Sequence, residues 1–136
     1  MNTKRLLGGW IAVFIFIFVF EWIFHGMIMK AMYQQTASLW RPEAEMKRLF
    51  HWLVIGQLFV AFAFSYIFTK GYENKGIVEG IRYGILIGLL FSGPNLIMYA
   101  VAPYPSMMIV RWIAGGIFEF AVAGAVIAAV YRPSRS

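Results

Sequence analysis

The sequence predicts an all-α integral membrane protein: four transmembrane helices in an up-down bundle, with an interfacial amphipathic segment between helices one and two. Three observations predict it. Of 136 residues, 61% are hydrophobic and only 13% are charged, about half the charged share of an ordinary soluble domain. The charges fall mostly between apolar runs, and each run is long enough for the ~20 residues that cross a ~30 Å hydrocarbon core. Inside one run, Gly76, Gly80, Gly84 and Gly88 recur every fourth residue, with Ser92 next in register. In water each helical glycine costs ~1 kcal/mol relative to alanine. In a bilayer, small residues at this spacing let two helix backbones approach, and van der Waals contact drives association. The pattern is that of a glycine zipper.

The first span is expected over residues 6–29. Lys4 and Arg5 precede it as in a signal peptide, but the run exceeds a typical h-region, and Glu21 and Trp22 stand where a small-x-small cleavage site would fall. Phe14, Phe16, Phe18 and Phe20 alternate like a strand; length and the absence of turn signals decide for a helix. Residues 30–49 form the one sizeable polar segment. Pro42 suits a first helical turn, with Glu43 and Glu45 near its positive dipole end and Lys47 four residues beyond Glu43. This segment is expected along the membrane interface, running into helix two, with Trp40 and Trp52 at headgroup level.

Helix two is expected over 50–69 and helix three over 77–101, joined by the turn 70–76. Pro94 removes a backbone donor and should kink helix three, and Gly93-Pro94-Asn95 could break it. Helix four follows over 106–130, and its Gly115, Gly116, Ala121, Gly124, Ala125, Ala128 and Ala129 offer a small-residue face for the glycine ladder. The whole of 1–136 reads as one domain. Four spans place both termini on one side. That side carries Lys4, Arg5, Lys70, Lys75, Arg82, Arg132 and Arg135, and the other carries Lys30, Arg41, Lys47, Arg48 and Arg111. The bias places both termini in the cytoplasm of a bacterial inner membrane.

The absence of cysteine excludes disulfides, thiolate metal sites and thiol nucleophiles. The net charge of +6 lies at membrane flanks, which favours anionic lipid over nucleic acid as partner. No nucleophile elbow, Walker loop, dinucleotide fingerprint or H-E-x-x-H is present, so no enzyme activity is expected.

Ionisable groups within a span are costly and are functional candidates by default. Glu21 and His25 share a helix face. His51, Gln57, Asn95, Arg111 and Glu119 fall in the same half of the membrane or near its middle, so these seven side chains form a candidate ion or ligand cluster. The plainest role is packing: Glu21 pairing with Arg111, and Gln57 and Asn95 bonding across helices, at ~0.6–2 kcal/mol each. A second role is a proton path through Glu21 and Glu119. No cofactor is called for, although Glu21, His25 and His51 suit a metal ion in type, and the two histidines suit the axial positions of haem b. Glu79 and Arg82, three apart, suit a surface ion pair.

The segment EWIFHGMIMKAMYQQTASLWRPEAEM, followed by EGIRYGILIGL, resembles small four-helix bacterial inner-membrane proteins of unknown function. The resemblance implies a layout with a polar loop after helix one and transfers no site residue. The favoured function is an interaction or accessory role, exerted by helix packing as a homo-oligomer or as a subunit of a larger membrane complex. The alternative is a small oligomeric proton-coupled or ion transporter using Glu21 and Glu119.

Overall fold

The computed structural model describes residues 1–132; Arg135, counted above for charge, lies outside them. The chain is all-helical, with no strand among the described residues. Helix α1 (Thr3–Ile23) continues into a π-helical turn (Phe24–Ile28). Short helices α2 (Lys30–Gln35) and α3 (Glu43–Arg48) follow, with a 3₁₀ turn, Ala37–Leu39, between them. Three long helices complete the chain: α4 (Phe50–Lys70), α5 (Ile77–Val101) and α6 (Ser106–Val130). Four of these helices are long and apolar enough to cross a membrane. Their limits match the expected spans to within three residues. The polar segment does not run into the second long helix as expected: Leu49 leaves helical geometry and separates α3 from α4.

Helix α5 lies antiparallel on α6, and α1 packs against both α4 and α6. The buried stripe of α5 includes Gly80, Gly84, Gly88 and Ser92, so the glycine ladder does face protein. A Cβ on Gly80 would overlap the Gly124 carbonyl, and one on Gly84 the Phe120 carbonyl. One on Gly88 would lie 2.8 Å from the Ile117 Cα. Only hydrogen fits at these positions. Gly76 is the exception. Nothing lies near it; it precedes α5 at φ 74° and ψ −153°, a region open essentially to glycine alone. Its place in the four-residue series is a turn requirement, not packing.

The remaining core is aliphatic and aromatic: Leu6, Val13 and Ile17 of α1, Ala61, Phe64 and Phe68 of α4, and Phe120, Ala123 and Ile127 of α6. The Tyr83 hydroxyl donates to the Phe64 carbonyl at 2.6 Å and ties α5 to α4. Large apolar side chains such as Phe59, Leu90 and Ile97 point outward on every long helix, while Glu79 and Glu119 are buried. A water-soluble fold inverts this distribution.

One end of the bundle holds Asn2, whose backbone N–H donates to the Tyr131 hydroxyl at 3.0 Å, together with the 71–76 turn through the edge contact of Tyr72 and Tyr131. The other end is closed by aromatics from three segments: Tyr33, Trp40, Tyr104 and Trp112. Glu79 departs from its expected ion pair. Its carboxylate accepts from the backbone N–H groups of Glu73 and Lys75 at 2.6 and 2.7 Å, and Arg82 pairs with Glu73 instead. Glycine at 76 lets the turn curl its N–H groups onto that carboxylate. Helix α5 is unbroken through Pro94, so the expected break at Gly93-Pro94-Asn95 does not occur; the carbonyl of Leu90 loses its usual donor.

Candidate functional site

Four of the seven candidate polar residues line one cavity of about 370 Å³: Glu21, His25, Asn95 and Glu119, walled by Phe24, Phe91, Trp112 and Phe120. Three helices position them. Glu21 and His25 are one turn apart on α1 and its continuation, with His25 Nε2 2.9 Å from Glu21 Oε2. Glu119 is buried near the middle of α6, about 20 Å of helix from Ser106 at 1.5 Å per residue. Its carboxyl group lies within hydrogen-bonding reach of Glu21. Asn95 follows Pro94 on α5 and completes the wall.

The π turn is the local device that presents His25. Met29 N–H donates to the Phe24 carbonyl at 2.8 Å, one residue wider than an α-helical bond. Phe24 packs over Gly115, where a Cβ would overlap its ring. His25 lies edge-on to Phe24 and stacks on Tyr33, ring centroids 5.9 Å apart.

Beyond His25 the polar line continues. His25 Nδ1 is 2.5 Å from the Tyr33 hydroxyl, which accepts from Trp112 Nε1–H at 2.9 Å. One assignment satisfies every group. Trp112 donates to Tyr33, Tyr33 donates to His25 Nδ1, His25 Nε2–H donates to Glu21, and Glu21 accepts from Glu119. The last link needs a proton on Glu119, because a hydrogen bond between two carboxyl groups requires one. Burial raises the Tyr33 hydroxyl above the usual phenol range, so it stays a donor at neutral pH.

The other three candidates lie elsewhere. Arg111 is exposed on α6 and does not pair with Glu21, whose partner is His25. Arg111 stands at an exposed position of α6, whereas Glu119 is buried two turns further on. Gln57 lies on α4 with a buried Oε1 that has no partner, so it makes no cross-helix bond through that atom. His51 is exposed at the start of α4 beside Trp52 and lines neither His25 cavity. The geometry therefore does not gather Glu21, His25 and His51 as a set of metal ligands. Among the described residues no three His, Cys, Asp or Glu side chains cluster to hold a metal ion.

Tyr33 and Trp112 are the members that sequence reasoning missed. Their signal was faint: both are aromatics near a helix end, where interfacial anchoring explains them equally well. No known protein family, curated protein or solved structure matches the chain.

Proposed function

We propose that the protein is a multi-pass protein of a bacterial inner membrane, both termini in the cytoplasm, that binds and moves protons through Glu119, Glu21 and His25. The observation that carries this reading is the continuous line Glu119–Glu21–His25–Tyr33. It runs from mid-helix toward the aromatic end of the bundle and borders a cavity. Within lipid, a carboxyl pair and an imidazole in hydrogen-bonded sequence are the elements of a proton relay. The carboxyl pair holds one proton, and protonated His25 would donate from both ring nitrogens.

Beyond Glu119 the interior is chiefly apolar, filled by Phe64, Phe120, Ala123 and Ile127 with the buried Ser65 hydroxyl beside them. A polar line that ends inside the bundle is what a proton-coupled carrier with alternating access would hold in one of its states. The cavities among the long helices are small, so a complete carrier would be an assembly of copies. Since the glycine ladder is used inside the chain, such contacts fall on the outward apolar faces of the helices. An accessory subunit of a larger membrane complex would use the same faces.

Liposomes containing the purified protein and an entrapped pH dye provide the test. An imposed potassium diffusion potential should drive proton entry. Glu119→Gln should reduce that rate at least tenfold with helicity and detergent behaviour unchanged, while Glu73→Gln in the exposed turn at the opposite end leaves it alone. Undiminished entry in Glu119→Gln would overturn the reading.

A further inference from the structure

A second, larger cavity of about 800 Å³ opens between the π turn and the segment 30–46. Its wall includes Gly26, Lys30, Ala37, Trp40, Arg41 and Met46. The lining is chiefly apolar, and its size is that of a ligand pocket. Its charges are distributed unevenly. Arg41 pairs with Glu45, and Glu43 pairs with Lys47 at 3.1 Å. Lys30 has no carboxylate partner among the described residues and stays exposed at the cavity wall. The uncommitted charge is therefore positive, set beside an apolar hollow and an indole.

We infer that this cavity is a binding site for one anionic phospholipid, its headgroup phosphate on Lys30 and the upper part of an acyl chain against Trp40, Ala37 and Met46. The inference rests on the reading that the long helices cross a bilayer, because that places residues 30–46 at headgroup depth. A basic side chain over an apolar hollow matches both halves of such a lipid and neither a free anion nor an uncharged chain. His25 lines this cavity as well as the carboxyl cavity, so the bound lipid sits against the open end of the proton line.

Native mass spectrometry of the delipidated full-length protein, titrated with dioleoyl phosphatidylglycerol or dioleoyl phosphatidylcholine, tests this. One phosphatidylglycerol per chain should bind at least tenfold tighter than phosphatidylcholine. Lys30→Gln should remove most of that preference. Ala37→Trp, at an exposed position that fills the hollow, should abolish retention of both lipids with helicity unchanged. Equal retention of the two lipids, or full retention by Ala37→Trp, would overturn the site. Proton entry in liposomes made only of phosphatidylcholine separates the two readings: flux that persists without the lipid preference sinks the site and spares the relay, and lipid binding without flux does the reverse.

Discussion

Glu73 shows how a single exposed side chain can be tied to the fold by charge. Lys75, 2.5 Å away, and then Arg82 at 3.1 Å hold its carboxyl below the usual range. A carboxyl depressed on folding adds stability above its unfolded value and loses it as pH falls through the folded one. Its contribution is therefore present at pH 7 and fades below about pH 4.5, the ordinary value for glutamate. Glu73→Gln should lower the melting temperature in detergent slightly at pH 7 and by progressively less as pH falls below about 4.5; an equal decrease at every pH would show that charge is not the cause. Tyr33 runs the other way. Its hydroxyl is raised by burial, so its contribution is complete below the ordinary phenol range and declines as pH rises through the folded value. Neutral pH thus leaves the donor to His25 in place. Residue identity made Glu21, His25 and Glu119 legible as candidates, because ionisable groups inside apolar runs stand out. Arg111 and His51 stood out equally and lie elsewhere, since identity carries no information about rotation around the helix axis.

At the scale of elements, the α5–α6 pair is where sequence and structure agree most closely. From Gly80 to Ser92 the four-residue small repeat marks where another surface comes close, and α6 supplies one rich in alanine and glycine. Backbone carbonyls of Phe120 and Gly124 lie where a side chain on Gly84 or Gly80 would go, and a helix backbone cannot yield as a side-chain tip can. Gly84→Leu should destabilise the protein by at least the ~1–3 kcal/mol of an overpacked core, with loss of a single species on size exclusion in detergent. Gly56→Ala on α4, with nothing within 4 Å of the added carbon, should be neutral or stabilising by up to ~1 kcal/mol. Thermal unfolding of both variants in one detergent makes the comparison. Equal tolerance of the two would mean that α5 does not pack through its glycines. The π turn at Phe24–Ile28 was not legible, because one extra residue per turn arises from what Phe24 and His25 pack against rather than from local preference. Pro94 was legible as a lost donor but not as a break, since the helix continues around it.

For the whole molecule, the polar and apolar parts are arranged inside out relative to a water-soluble bundle. Outward Phe59, Leu90 and Ile97 and inward Glu79 and Glu119 make sense in a solvent of acyl chains. Asn2, Tyr131 and the 71–76 turn share one end, while 30–49 and the 102–105 connection share the other. Reporter fusions at residues 2 and 132 should therefore report the same side of the membrane, and a cysteine introduced at Ser38 should be labelled by an impermeant reagent from the opposite side. Labelling of Ser38→Cys from the same side as residues 2 and 132 would require an even number of crossings before it and rule out this arrangement.

Length and hydropathy alone determined four helices and their limits, because a hydrocarbon core demands ~20 apolar residues and complete backbone bonding from each segment. Spacing alone determined that one face of α5 is bare. Composition pointed to helix four as the surface that meets that face; only the tertiary structure decided the register of the contact, and that Glu21 turns to His25 and Glu119 rather than to Arg111. It alone joined Tyr33 and Trp112 to the line. The reason is physical: period and composition describe one helix at a time, whereas the hydrogen-bonded line and both cavities depend on the rotation and height of each helix against its neighbours, which packing sets.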